Sequence, residues 1–353
     1  MNNQILCAFL FFLFILGGQS YSQNEEKVTQ VHQVTELFMS EEILPLKLSY
    51  AIKDIKKSTN DSTYIKAKMS YESETAAWHD MPVELRVRGH NRLENCYFPP
   101  IKIKLSKTAT KGTLFEGNKK LKLVFPCFTN GDKNDYVVKE YMAYKLYELV
   151  SAYHFKTRMV DLYFSEIKGS KTKEFELKGI LIEDNKLVAK RHDGKVLDRF
   201  INPLAQDPLA SVQNALFQYM IGNTDYSTFA QHNENLIYTD KKIVPLPYDF
   251  DMSGLVNTGY SVVSVINNES LPISSVKERL YRGFKRSPNI IAQVRTEFLN
   301  QKVAMLEAVD DLEPYFEDPK QFASAKKYIE KFFEVLANDD RFKKEITNKL
   351  RTK

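Results

Sequence analysis

The stretch Ile221 to Val256, IGNTDYSTFAQHNENLIYTDKKIVPLPYDFDMSGLV, gathers Asp225, Asn233, Asn235, Asp249 and Asp251 around what reads as one hairpin. A helix ends at Gly222, and Asp225 follows in a loop. Asn235 directly precedes the apolar Leu236-Ile237-Tyr238, and IVPLPYD carries the chain back to Asp249-Phe250-Asp251. Adjacent antiparallel strands lie about 5 Å apart, so the start of the first strand and the end of the second are neighbours, and Asn235 approaches Asp249. A carboxylate and an amide oxygen placed this way suit magnesium, which keeps waters for phosphate oxygens to replace. Asp225 would then orient or deprotonate an attacking hydroxyl, which completes the parts needed for phosphoryl transfer from a nucleotide. Asn233 reaches the same place if the strand starts earlier, so either asparagine fits. The blander reading is that Asn223-Thr224-Asp225 only turns the chain and that Asp249 and Asp251 satisfy backbone donors.

A basic set precedes the acidic one. LRVRGHNR puts Arg86 and Arg88 on one face of a strand that ends at Gly89, and FPPIKIKL puts Lys102 and Lys104 on one face of the next. From Lys102 through Lys122 there are seven lysines against the single acid Glu116. A glycine turn lets backbone amides approach phosphate oxygens, and a strand lysine neutralises their charge. A solvated basic sheet face is the alternative for any single lysine. Gly112 to Lys119 misses a P-loop, because Asn118 intervenes before Lys119 and no Ser or Thr follows. No dinucleotide fingerprint, HExxH helix or GxSxG elbow occurs.

These residues need elements to hold them. LKLSYAI, STYIKAKMSY, VELRVRG, IKIKL and LKLVF each alternate with period two, as do MVDLYFSE and LKGILIE further on. Between these groups, Met142, Leu146, Leu149 and Tyr153 recur at helical spacing. Later helices are marked by Leu209, Val212, Leu216 and Tyr219, by Pro288 with Ile291, Val294 and Phe298, and by Asp318-Pro319 ahead of Phe322 to Leu336. The expected class is α+β. A β-rich N-terminal lobe over 41–190 holds an antiparallel sheet with one inserted helix, and a mostly helical lobe covers 191–353.

The chain has 353 residues, a net charge of +5 and 12% aromatic residues. That aromatic share excludes a disordered chain, and the mild charge does not mark a nucleic-acid binder. Ile5 to Leu16 is an apolar run too short to span a bilayer, with Ser20 and Ser22 placed for cleavage before Gln23. Residues 1–22 read as a signal peptide and 23–40 as a polar arm, so the product is expected to be secreted or periplasmic with no transmembrane segment. Cys96 and Cys127 remain after cleavage, either as a disulfide or as two buried thiols.

RVRGHNR, FPPIKIKL, KNDYVVKEYMAYKLYEL, KGILIED and HNENLIY…PLPYDFDMSG, in that order, resemble the spore-coat CotH kinase-like family. The resemblance runs from about Glu84 to Val256. It implies a bilobal protein-kinase-like fold with ATP and magnesium in the cleft. On that implication Arg88 and Gly89 lie over the phosphates, Lys104 is the strand lysine and Glu140 is its ion-pair partner. Asp225 is the acid-base residue, Asn235 and Asp249 are metal ligands, and Asp251 is a further acid beside them. Glu183 would take a ribose contact or a structural role. Asp225 and Asn235 stand ten apart where a kinase catalytic loop has five, so this loop is longer. The expected function is a secreted kinase-like transfer from Mg-ATP to a protein or small acceptor. The alternatives are an inactive binding protein of the cell envelope and a metal-dependent phosphoesterase using Asp225, Asp249, Asp251 and His232.

Overall fold

The structure, a computed structural model, describes residues 33–89, 91–131, 133–265 and 271–352. The expected signal peptide and most of the polar arm lie outside the described residues. All described residues belong to one unit, which runs from His32 onward.

Seven strands come first: β1 (Leu44–Tyr50), β2 (Ile65–Glu72), β3 (Trp78–Val87), β4 (Ile101–Lys104), β5 (Lys120–Val124), β6 (Thr157–Lys168) and β7 (Lys171–Ile182). They close into a barrel of order β1-β2-β3-β4-β5-β7-β6. The closing pair, β1 with β6, is parallel from Leu44↔Val160 to Tyr50↔Glu166. This closed mixed barrel, with helices mostly in the C-terminal part, corrects the expected bilobal protein-kinase-like fold. Period-two alternation tells which face a side chain takes, and it is the same in an open sheet and a closed one. Here Leu44, Leu46 and Leu48 of β1 join Val83, Leu85, Ile101, Ile103 and Phe164 in one barrel core.

Short helices α1 (Ile52–Ser58), α2 (Asn91–Asn95) and α3 (Lys107–Thr110) interrupt the barrel strands, and α4 (Lys133–Glu148) lies between β5 and β6. After β7 come α5 (Asn185–Arg191), β8 (Lys195–Leu197), α6 (Pro208–Ile221), β9 (Glu234–Thr239) and β10 (Lys242–Pro247). Strands β8, β9 and β10 form a separate sheet of order β10-β9-β8. Helices α7 (Pro288–Asn300), α8 (Lys302–Asp310), α9 (Pro319–Ala337) and α10 (Asp339–Glu345) complete the chain.

Helix α4 ties the two parts together. Its Met142 and Leu146 share a core with Met159 of β6, Ile180 and Ile182 of β7, and Leu216, Phe332 and Leu336 of the later helices. Each fully buried side chain of this size contributes about 1.5–3 kcal/mol, so the barrel and the helices stabilise one another. Helix α6 is capped by Asp207, whose side chain accepts from Ala210 N–H, and it stops at Gly222. Gly222 has φ +63°, and an added Cβ would collide with the Tyr328 hydroxyl, so the stop is fixed. Cys96 and Cys127 form a disulfide that joins the end of α2 to the loop after β5.

Candidate functional site

A cleft of about 1070 Å³ brings the barrel rim against the loops around β9 and β10. Arg88 follows β3, with its backbone N–H bonded to Pro100 O at 3.0 Å, and Arg92 stands on α2. Both face acids from the other side. Arg88 Nη2 is 3.6 Å from Asp249 Oδ1, and Arg92 Nη1 is 3.6 Å from Asp251 Oδ2. Gly89, with φ +74°, turns the chain between them and lines the same cleft.

The Asp249-Phe250-Asp251 turn is anchored by its middle residue. Phe250 is fully buried, with Tyr144 at 4.6 Å and Phe217 at 5.3 Å between ring centroids. Asp249 takes φ +64°, a region uncommon for a residue with a side chain, and its N–H donates to Tyr144 Oη at 3.0 Å. One turn before Tyr144 on α4 sits Glu140, buried beside a small cavity of about 20 Å³ that Arg92, Asp251 and Tyr260 also line. Burial raises the Glu140 carboxyl well above the usual range, and the Asp251 and Asp249 charges push the same way. Burial raises Asp251 as well, against the pull of Arg92, and Tyr260 Oη donates to Asp251 Oδ2 at 2.9 Å.

Asp225 is held from two sides. Asn233 Nδ2 donates to Asp225 Oδ2 at 3.0 Å and to its backbone O at 2.6 Å. On the other side Asp225 N–H donates to Asn223 Oδ1, Asn223 Nδ2 to Gln218 Oε1, and Gln218 Nε2 to Asn214 Oδ1. Asn214 Nδ2 then donates to Glu234 Oε2 at 2.8 Å, and Gln206 Nε2 donates to Glu234 Oε1 at 2.8 Å. Because Asn233 and Glu234 are consecutive, this buried chain closes on itself around the loop. His232 Nε2 lies 3.5 Å from Asp225 Oδ1, and hydrogen bonding to that carboxylate raises its pKa. Ser264 Oγ donates to the same oxygen at 2.7 Å.

Burial pushes Glu234 from the ordinary 4.5 up to about 7, and its three donors, Gln206, Asn214 and Thr228 Oγ1 at 3.2 Å, offset only part of that. The folded state therefore holds a proton between pH 4.5 and about 7 that the unfolded state has released, and stability falls as pH rises through that window. The loss is about 3 kcal/mol. Glu234→Gln, which mimics the protonated acid, is expected to match the wild type near pH 4.5 and to exceed it by up to about that amount at pH 8. Urea unfolding at both pH values measures the difference, and equal stability at pH 8 would refute the assignment.

The remaining sequence candidates lie apart from this group. Lys104 is exposed on the outside of the barrel, paired with Glu84 at 2.6 Å, and the structure does not bring it to Asp249 or Glu140. The lysine beside the cleft is Lys122, reached through the register Arg86↔Lys102 and Lys102↔Lys122. Its amine lies 4.2 Å from the Tyr248 ring centroid, and burial together with Arg88 lowers its pKa to about 7. Asn235 sits within β9 opposite Leu246 and accepts from Asn185 Nδ2 at 3.4 Å, whereas Asn233 lines the cleft. Glu183 is a structural pin, accepting from Lys156 N–H at 3.0 Å and from Arg191 Nη2 at 2.8 Å. Sequence reasoning assigned no role to Arg92, Tyr260, Lys122 or Ser264. Arg92 was legible within GHNR and Lys122 within the basic run that starts at Lys102, but nothing local marks Tyr260 or Ser264.

Several buried polar atoms at this place have no hydrogen-bond partner: Arg88 Nε, Arg92 Nε and Nη1, Glu140 Oε1 and Asp249 Oδ1. Such atoms cost free energy unless something completes them. Among the described residues no set of three or more His, Cys, Asp and Glu is assembled to hold a metal. Asp249 and Asp251 offer two carboxylates, the protein share usual for magnesium when phosphates and water complete the shell. The guanidinium nitrogens that make no hydrogen bond suit phosphate oxygens. The residues fit both groups. No helix among the described residues is long and apolar enough to cross a membrane. Comparison with known proteins gives no family model that matches the chain and no curated protein that matches it.

Proposed function

We propose that this cleft binds a magnesium-nucleoside triphosphate and transfers its terminal phosphoryl group to a hydroxyl acceptor. The reading rests on the site and not on the fold. The observation that supports it is the meeting of Arg88 and Arg92 with Asp249 and Asp251 across one cleft, with buried nitrogens and oxygens on both sides that make no hydrogen bond. Arg88 and Arg92 would hold phosphate oxygens, and phosphate would restore the charge of Lys122. Asp249 and Asp251 would hold magnesium, which when bound neutralises charge on the phosphates. Asp225 accepts the proton of the acceptor hydroxyl, while Asn233 keeps its carboxylate turned toward the cleft.

ATP with magnesium at 100 times its dissociation constant is expected to stabilise the protein by about 2.7 kcal/mol. Asp249→Ala should remove that gain, as read by thermal unfolding with and without ligand. Equal gains in both proteins would reject the role of Asp249, and no gain in the wild type with any nucleotide would reject the proposal. The His232–Asp225 contact favours a second reading, metal-dependent hydrolysis of phosphate esters. That reading requires phosphate release from simple esters without nucleotide.

A further inference from the structure

A carboxylate that takes a proton from an acceptor must have the hydroxyl within about 2.6–3.2 Å. One hydroxyl of this chain already stands there. Ser264 Oγ donates to Asp225 Oδ1 at 2.7 Å, across 39 positions of sequence. Asp225 Oδ2 is occupied by Asn233, so Ser264 takes the other carboxylate oxygen, Oδ1, which His232 Nε2 also approaches at 3.5 Å. Ser264 is only 6% exposed, while Val262 and Val265 are 62% and 66% exposed. A hydroxyl turned inward between outward valines reverses the usual hydrophobic ordering, so the segment is posed by its polar contact.

The rest of the segment is tied down the same way. Residues 258–265 form neither helix nor strand. Tyr260 reaches Asp251, Thr258 N–H donates to Ser261 Oγ at 3.1 Å, and Ser261 N–H donates to Thr258 O at 3.1 Å. The segment thus covers two of the three site aspartates with its own hydroxyls.

We propose that Ser264 occupies the acceptor position of this site and is phosphorylated in cis, which makes the acceptor class a serine hydroxyl in a valine-flanked peptide. This deepens the phosphoryl-transfer reading and rests on it. Ser264 Oγ bonds to the terminal phosphorus of a nucleoside triphosphate. The bond from that phosphorus to the bridging oxygen breaks, nucleoside diphosphate leaves with the electron pair, and Asp225 accepts the hydroxyl proton. The new phosphate carries about 1.5–2 negative charges beside the Asp225 carboxylate. Repulsion then drives the segment off the cleft and frees the position for an external serine of the same kind.

The test incubates the full chain with magnesium and ATP, maps phosphate by peptide mass spectrometry and follows its rate against protein concentration. Phosphate is expected on Ser264 at a rate independent of concentration. It should persist in Ser264→Thr, vanish in Ser264→Ala and form about 10²–10⁴-fold more slowly in Asp225→Asn, with ATP stabilisation kept in both. Stabilisation by ATP without phosphate on Ser264, phosphate only on other residues, or a rate proportional to concentration overturns this inference and leaves nucleotide binding standing. Neither stabilisation nor phosphate overturns both.

Discussion

Asp225→Asn slows phosphoryl transfer by about 10²–10⁴-fold at unchanged nucleotide affinity, the range expected when a positioned acid-base group is lost. The substitution keeps the local frame. Asn233 Nδ2 still finds an oxygen on the new side chain, and the backbone bond from residue 225 to Asn223 Oδ1 is untouched. The group acts on the acceptor proton, so kcat falls while KM for nucleotide holds. A second readout needs no turnover. His232 owes its raised pKa first to the hydrogen bond with Asp225, so its titration should move down in the variant. Undiminished kcat would end the acid-base assignment, and an unmoved His232 titration would end the structural one.

Reducing the Cys96–Cys127 disulfide is expected to cost about 3–4 kcal/mol, since it opens a loop spanning 31 positions in the unfolded chain. The effect reaches the cleft. Arg92 lies four residues before Cys96, and its Nη2 donates to Phe125 O at 2.9 Å, two residues before Cys127. The bridge therefore fastens the turn that carries Arg92 to the barrel wall. Guanidinium unfolding with and without reductant should show a lower midpoint in the reduced protein. ATP stabilisation should shrink as well, because Arg92 loses its anchor opposite Asp251. A midpoint indifferent to reductant would contradict both expectations.

The strands and long helices were legible because period two and period 3.6 are local. LKLVF and LKGILIE overlap β5 and the end of β7 to within one residue, and Gly222 ends α6 where the glycine stop placed it. Which strands meet was not legible. The β1–β6 pairing joins residues 116 positions apart, and no local pattern encodes such a partner. The same gap explains the lysine. Lys104 and Lys122 share one face of the barrel, but the register pairs Lys104 with Lys120 and Glu84, one strand period further from Arg88 than the Lys102–Lys122 pair. Asn233 and Asn235 differ by one strand period, and the choice turned on the left-handed turn at Asn233, φ +54°, just before β9 begins. The Asp249-Phe250-Asp251 turn was readable because an apolar residue between two acids already says which side enters the core.

The parallel seam between β1 and β6 also sets an order of events during folding. Until residues near Val160 emerge from the ribosome, Leu44–Tyr50 has no partner on that side, and its row of amides and carbonyls stays open. Antiparallel neighbours zip early; the seam waits on a long excursion of chain and costs the most loop entropy. A nascent or partly translated barrel is thus a curled ribbon with two raw edges, prone to pair with another copy of itself. Aggregation should be worst for truncations that end just before Thr157 and should ease once the return strand is present.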